Sequence, residues 1–232
     1  MFVTLWFINL IVWCTAQKQN FLLIIVDDLR TALGCYGDAK AYTPNIDRLA
    51  TGAAIFSQAF AQQALCAPSR NSFLTSRRPD TLHLYDFYSY WRKDIGNFTT
   101  LPQHLKNNGY ITKSVGKVFH PENHPLHKFE VPKPYKWSNN VSSIAYNPWN
   151  DLRKREDIAA LNLKFPWEKI PKSFARLIIQ SYYASVTYID DLIGTLINHL
   201  ERLSIRGDTT IILMSDHGEL KNLPINYYLN FS

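Results

Sequence analysis

Apolar runs separated by polar segments give this chain an alternating pattern of strands and helices. Residues 21–26 form a continuous apolar run, typical of a strand buried on both faces of a parallel sheet, and residues 209–214 form a second run, rich in β-branched residues. Apolar side chains recur every three or four positions from about 171 to 203, which predicts a long helix packed through one face. Further strands are predicted at residues 53–60 and 110–115.

Capping residues mark the ends of the shorter predicted helices. Thr43 and Pro44 begin one helix and Gly52 ends it, while Thr100 begins another over residues 101–108. Two more helices are predicted, directly after Cys66 and near 153–161, the second within a loop-rich segment at 121–171. This order of elements predicts an α/β fold built on a mostly parallel sheet flanked by helices.

The N-terminus has the pattern of a secretory signal. Residues 2–13 are almost wholly apolar and are followed by the small residues of a cleavage site, so we predict a signal peptide at residues 1–16. A buried strand or helix is the alternative. The segment is too short to span a membrane, and we predict no span later in the chain. In a secreted protein, the sequons at Asn97 and Asn140 are candidate glycosylation sites.

Composition and charge narrow the possible partners. The chain has 232 residues, 46% of them hydrophobic, and a formal net charge of +6. The basic residues are scattered and no nucleic-acid motif accompanies them, so we predict a cationic surface and no nucleic-acid partner. Once the signal peptide has left, Cys35 and Cys66 remain. They either pair or include one chemically special cysteine, and the neighbours of Cys66 favour the second reading.

Acidic and imidazole side chains follow the first and last predicted strands. Asp27 and Asp28 come directly after one, and Asp216 and His217 after the other. Because the carboxyl ends of parallel strands lie at one edge of a sheet, these side chains are expected to meet. Adjacent carboxylates repel each other unless a cation lies between them, although a helix cap or turn is the simpler alternative. Carboxylates suit Ca²⁺, whereas the histidine equally suits zinc or manganese.

Cys66 and Arg70 lie one helical turn apart. A helix N-terminus with a nearby guanidinium attracts anions and lowers the pKa of a thiol. These residues therefore allow two interpretations of Cys66. It is either the nucleophile of a Cys-dependent phosphatase or hydrolase, or a small buried core residue.

The segment Cys-Ala-Pro-Ser-Arg at 66–70, continuing into Leu74 and Thr75, resembles the signature of the type I sulfatases. The resemblance runs from about residue 20 to 218. Segments 84–92 and 114–121 resemble most closely the branch that removes the 2-O-sulfate of terminal iduronate from heparan sulfate and dermatan sulfate. A metal-dependent phosphatase or phosphodiesterase of the same superfamily is an alternative.

The resemblance implies a mechanism and a set of site residues. Cys66 would be converted to formylglycine by the formylglycine-generating enzyme. One hydroxyl of the hydrated aldehyde would attack sulfur and the other would later expel sulfate, while the metal and cations offset charge on the sulfuryl group. Ca²⁺ would be bound by Asp27, Asp28, modified Cys66, Asp216 and His217. Arg70 would stabilise the formylglycine, and Lys117 and His120 would contact the sulfate and the nucleophile. Without the resemblance, Lys117 and His120 would be interpreted as a surface cation and a loop histidine.

The same resemblance suggests a domain organisation and a location. It implies a lysosomal protein that travels through the secretory pathway, with secretion as the alternative. A catalytic N-terminal domain at 17–218, shortened around 121–145 and incomplete in its C-terminal part, would precede a divergent tail at 219–232. Ser76 stands where the family has glycine, which costs about 1 kcal/mol if the backbone there needs a positive φ. Because the implied domain is shortened and incomplete, a catalytically inactive truncated product is a second alternative.

Overall fold

The computed structural model describes residues 18–87, 89–119 and 171–218, together with positions 159 and 162. The predicted helix near 153–161 lies almost entirely outside these residues. The regular elements, in chain order, are β1 (Asn20–Val26), a 3₁₀ turn (Gly34–Tyr36), α1 (Pro44–Thr51), α2 (Cys66–Thr75), α3 (Pro79–Leu82), α4 (Trp91–Asp94), α5 (Leu101–Asn107), α6 (Lys172–Arg202) and β2 (Thr209–Ser215).

The sheet in the described part of the chain consists of two parallel strands. β1 pairs with β2 in a continuous register from Asn20 opposite Thr209 to Val26 opposite Ser215. The Ser215 hydroxyl donates to the carbonyl of Val26 at 2.9 Å, which fixes the strand ends side by side. The α/β prediction is confirmed, and the residues that follow the two strands leave the sheet at the same edge.

Two apolar clusters hold the helices in place. The first lies between α6, α1 and the sheet, and its buried members are Leu29, Leu33, Ile46, Val186, Ile193 and Ile197. The second, made of Leu82, Leu84 and Trp91, packs behind α2. The Trp91 indole donates to Asn71 at 2.8 Å within it, so a buried polar contact ties this cluster to α2.

A cap supplied by α6 begins α1. The sequence predicted Thr43 as the cap, but its side chain makes no capping bond. The carboxylate of buried Asp190 instead accepts from the backbone amides of Asn45 and Ile46, at 3.1 and 2.7 Å. Thr43 is occupied by a hydrogen bond to Asp47. The prediction of Thr100 at the start of α5 is confirmed, because its hydroxyl accepts from the Gln103 amide.

Two predicted strands are wrong. Residues 53–60 are irregular and exposed throughout, and residues 110–115 are irregular as well. Ile111 and Val115 are 89% and 97% exposed. Their β-branched side chains favour extended backbone, but a strand also needs a neighbouring strand to complete its hydrogen bonds.

Burial is also lower than the sequence predicted. β1 is only partly buried and its Phe21 is 48% exposed, so it is not covered on both faces in the described structure. On α6, Leu177, Leu192 and Leu196 are exposed although they continue its apolar period. Within the residues described, no helix combines the length and apolar character needed to cross a bilayer.

Candidate active site

Helix α2 carries the central residues of the site and is itself almost wholly buried. Cys66 is its first residue, and Ala67 through Ser72 are all buried. The helix ends at Ser76, whose φ of 55° places it in the left-handed region. The backbone at Ser76 therefore has the positive φ that favours glycine, and the cost of about 1 kcal/mol predicted from the sequence applies.

Arg70 links both ends of the chain. Its guanidinium, only 1% exposed, donates through Nε to Asp216 at 2.8 Å and through Nη2 to Asp27 at 2.9 Å. Nη1 donates to the backbone carbonyls of Lys117 and Val118. All three nitrogens of the guanidinium are therefore used, which fixes Arg70 rigidly between the strand ends and the 117–118 segment.

A second cation lies on the same carboxylate. Lys117 Nζ is 2.7 Å from Oδ1 of Asp27, the oxygen that also accepts from Arg70. Partial burial alone would raise the pKa of Asp27, but the hydrogen bonds, led by that from Lys117, outweigh it and hold the pKa well below its usual range. Burial opposes the charge on Lys117, yet its contact with Asp27 raises the pKa of the ammonium group. Asp27 and Lys117 are therefore both charged at neutral pH.

His217 connects the thiol to the other carboxylates. Its Nδ1 is 3.0 Å from Oδ1 of Asp28, and its Nε2 is 3.1 Å from the Cys66 sulfur. The bond to Asp28 raises the pKa of the imidazole. Asp216, whose side chain is completely buried, accepts from the backbone amides of His217 and Asp28 at 2.9 and 3.2 Å.

The environment of Cys66 does not activate a thiol. Burial raises its pKa, and Asp27 and Asp216 raise it further, against a lowering contribution from Lys117. The expectation of a lowered thiol pKa is therefore wrong in this arrangement. The guanidinium of Arg70 is already paired with two carboxylates, so little of its charge is available to a thiolate.

The donor set fits a divalent cation. Ligand atoms of Cys66, Asp216 and His217 all lie within 4.8 Å of one another. Asp27 and Asp28 are not part of this group: Asp27 Oδ1 is occupied by Arg70 and Lys117, and Asp28 Oδ1 contacts His217 through Nδ1, the ring nitrogen opposite the one that faces Cys66. Three carboxylates and an imidazole at one sheet edge offer the oxygen-rich, mixed coordination that hard or borderline cations accept.

The backbone around Asp28 is strained. Its φ of 58° lies in the left-handed region, which is uncommon for a residue other than glycine. The turn lets the amide of Asp28 reach Asp216 while its side chain reaches His217. The left-handed backbone at Asp28 is therefore the conformation in which this residue contacts both Asp216 and His217.

Two residues near the site were not predicted. The buried Ser69 hydroxyl donates to the backbone carbonyl of Asp216. The Tyr182 hydroxyl donates to the carbonyl of Asp28 at 3.2 Å and accepts from the amide of Arg30 at 2.9 Å. Ser69 could have been predicted because it lies inside the motif at 66–70. Tyr182 could not, because its helical spacing is that of an ordinary core residue.

The remaining predicted residues are separate from this cluster or lie outside the described structure. His120 and Asn140 fall outside the described residues. Asn97 is exposed, and its side-chain oxygen accepts from Arg92. Cys35 and Cys66 are both free, so these two cysteines do not pair with each other.

Comparison with known proteins gives one family throughout. A family model described as Sulfatase matches residues 19–165 and 122–228. Iduronate 2-sulfatase from Homo sapiens is 38% identical over 304 residues, covering 88% of this chain and 55% of the relative. N-acetylgalactosamine-6-sulfatase from Sus scrofa is 26% identical, over 87% of this chain and 50% of the relative. The ulvan-active sulfatase of Formosa agariphila is 35% identical over 57% of this chain and 28% of the relative. The chain spans about half the length of the first two relatives.

Proposed function

Because this chain belongs to the sulfatase family, we propose that it is a sulfuric ester hydrolase that removes the 2-O-sulfate of terminal iduronate from heparan sulfate and dermatan sulfate. The identity to iduronate 2-sulfatase over 88% of the chain supports the substrate class. The sulfated sugar is an anion, and the candidate site contains two cations on one carboxylate, Arg70 and Lys117.

The observation that carries the proposal is the convergence on Arg70. Asp27 comes from the end of the first strand and Asp216 from the end of the last, and both pair with the same guanidinium. A buried arginine held by two carboxylates is a costly structure for a protein to keep without a functional reason. Cys66 lies one turn before Arg70 on the same helix, so the modified side chain would face this charged cluster.

Each residue has a proposed role. Cys66, converted to formylglycine, would supply the attacking hydroxyl from its hydrated aldehyde, as the motif at 66–70 implies. Lys117, positioned by Asp27, would bind a sulfuryl oxygen and offset its growing charge. Arg70 would hold Asp27 and Asp216 in position. We also propose that His120 contacts the sulfate, as the family resemblance implies.

We propose Ca²⁺ as the metal. Asp27, Asp28, Asp216 and His217 would bind it with the modified Cys66, and the bound ion would lower the pKa of the nucleophile and polarise the sulfate. The excess of oxygen donors favours Ca²⁺ over zinc. His217 must be neutral to act as a ligand, so metal binding would compete with the protonation that the contact with Asp28 favours.

The test combines mass spectrometry with turnover. The full chain, co-expressed with the formylglycine-generating enzyme, is secreted and its peptide containing Cys66 is analysed for the cysteine-to-formylglycine mass change. Hydrolysis of a fluorogenic iduronate 2-sulfate substrate is then measured with and without Ca²⁺. We expect modification and Ca²⁺-dependent turnover, both lost in Cys66→Ala.

Controls separate the alternatives. Cys35→Ala removes the other cysteine and should leave turnover unchanged. Turnover of a fluorogenic phosphate ester but not the sulfate would favour a phosphatase of the same superfamily. Absence of turnover by folded protein that carries formylglycine would contradict the proposed activity.

A second candidate function needs only the accessible cation of the site. Lys117 is 31% exposed and lies 2.7 Å from Asp27, whereas Arg70 is buried. A non-catalytic protein that binds sulfated sugar would keep the cationic residues without turnover. Retention on immobilised heparin that is lost in Lys117→Ala, with no hydrolysis by the modified protein, would support this candidate.

We propose a lysosomal location reached through the secretory pathway. The apolar N-terminus with its small-residue cleavage site supports entry into that pathway, and the exposed side chain of Asn97 makes this sequon accessible to glycosylation. Mass spectrometry of the secreted protein should therefore find Gln17 at the N-terminus and a glycan at Asn97. Retention of residues 1–16 would contradict the proposed cleavage.

A further inference from the structure

Tyr182 connects the long helix α6 to the turn that contains two proposed metal ligands. It lies on the side of α6 that faces the sheet, packed against the cluster of Leu29, Leu33 and Val186. From there its hydroxyl donates to the carbonyl of Asp28 at 3.2 Å. The same hydroxyl accepts from the amide of Arg30 at 2.9 Å. One side chain thus bonds to the backbone on both sides of Leu29.

The turn at 27–30 has a backbone conformation that neighbouring contacts must stabilise. The φ of Asp28 is 58°, and a residue other than glycine keeps this conformation only where its surroundings hold it. Two contacts of Asp28 run to the other strand end, from its amide to Asp216 and from its carboxylate to His217. Tyr182 provides a third, to the carbonyl, and it comes from a different element.

Arg30 stabilises the position of the ring. Its guanidinium lies 4.9 Å from the centroid of Tyr182, and its aliphatic carbons fill the space beside Gly218. A Cβ on Gly218 would come within 3.2 Å of the Arg30 backbone. The ring is therefore held by the arginine on one side and by the apolar core on the other, so its hydroxyl has little freedom to leave the turn.

We propose that Tyr182 is a positioning residue for the metal site, which holds the Asp27–Asp28 turn in the conformation that binds a divalent cation. The inference rests on the proposed function, because it assumes that Asp27 and Asp28 are ligands. Tyr182 touches neither substrate nor reacting atoms. Its effect is to fix ligand geometry, as outer contacts around metal sites generally do.

The chain offers a matched control in the next residue. Tyr183 is also a helix tyrosine with a bonded hydroxyl, but that hydroxyl donates to Asp38 at 2.6 Å, away from the ligand turn. Tyr182→Phe and Tyr183→Phe therefore each remove one bonded hydroxyl from neighbouring positions of the same helix. Only the first removes contacts to the backbone around Asp28.

The experiment measures binding of Ca²⁺ alone to the full chain by titration calorimetry. For Tyr182→Phe we expect the Kd for Ca²⁺ to rise about tenfold, the size of loss seen for outer-shell partners. For Tyr183→Phe we expect a Kd within about twofold of the wild type. Hydrogen exchange of the Arg30 amide, measured in chelator, should be faster in Tyr182→Phe and unchanged in Tyr183→Phe.

A second variant tests the hydroxyl separately from the ring contact. Arg30→Ala removes the guanidinium from the ring but keeps the Arg30 amide and the Tyr182 hydroxyl, so it should weaken Ca²⁺ binding less than Tyr182→Phe does. A Kd for Tyr182→Phe equal to that of the wild type would overturn the inference, as would a larger loss in Arg30→Ala than in Tyr182→Phe. Failure of the wild type itself to bind any of Ca²⁺, Mg²⁺ or Zn²⁺ would instead contradict the proposed metal site.

Discussion

Replacing Arg70 by methionine tests the central ion pairs of the candidate site. Methionine fills a similar volume without charge, so the change removes the partner of the fully buried Asp216 carboxylate. Leaving one member of a buried pair uncompensated typically costs about 3–5 kcal/mol. Asp216 keeps two backbone amide donors, which favours the lower end, about 3 kcal/mol. Asp27 is 44% exposed, so the loss of its contact contributes little.

The assay is urea unfolding in chelator, so that no cation compensates the orphaned carboxylate. We expect Arg70→Met to lose about 3 kcal/mol of the free energy of unfolding, a large share of the roughly 5–15 kcal/mol of an ordinary domain. Asp216→Asn in the same background removes the uncompensated charge. The double variant should recover about 2 kcal/mol relative to additivity. Arg78→Met, at an exposed arginine, should change stability by no more than about 0.5 kcal/mol.

Two results would refute this reasoning. A loss below about 1 kcal/mol in Arg70→Met would mean that the pair behaves like a surface salt bridge. Additive effects in the double variant would mean that Arg70 and Asp216 do not interact energetically. In either case the rigid carboxylate–guanidinium network would no longer support the proposed site.

Three further predictions concern other parts of the structure. Ser76→Gly should raise the free energy of unfolding by about 0.5–1 kcal/mol because it relieves a left-handed φ. His83→Gly, at another helix end with a positive φ, should do the same. Urea unfolding that shows a loss of stability in both variants would contradict the strain argument. Asp190→Ala should cost about 2 kcal/mol, since it leaves the buried amide of Ile46 and the partly buried amide of Asn45 without an acceptor, and an unchanged midpoint would show that α1 needs no cap from α6. The folded-state pKa of His217 is raised by Asp28, so its stabilisation is complete below the ordinary pKa of about 6.5 and is lost as pH rises through the raised value. The free energy of unfolding in chelator should therefore fall above pH 6.5 in the wild type, and a similar fall in His217→Gln would assign it to another group.

The candidate site was more predictable than the fold around it. The pairs at 27–28 and 216–217 each follow an aliphatic run, and parallel strands deliver such residues to one edge. The positions of Cys66 and Arg70 follow from helical spacing. All of these rest on local patterns, so they did not require knowledge of distant neighbours. The sequence did not predict which carboxylate each cation contacts, because this pairing depends on side chains from elements far apart in the chain.

The errors have a common physical cause. Segments 53–60 and 110–115 have strand-like composition but no neighbouring strand in the described structure, and propensity alone does not supply a hydrogen-bonding partner. The lowered thiol pKa was expected from the charge of Arg70. That charge is already paired with two carboxylates, and burial acts on the thiol in the opposite direction.

The sequence by itself determined the signature at 66–70, the two strand segments and the long helix, because each depends on residues close together in the chain. It also identified Ser76 as a position whose cost depends on backbone conformation. Only the tertiary structure decided that Arg70 joins Asp27 to Asp216, that Asp190 caps α1, and that Tyr182 bonds to the Asp28 turn. These contacts link residues more than 40 positions apart, and their existence depends on how the chain packs, which no local periodicity encodes.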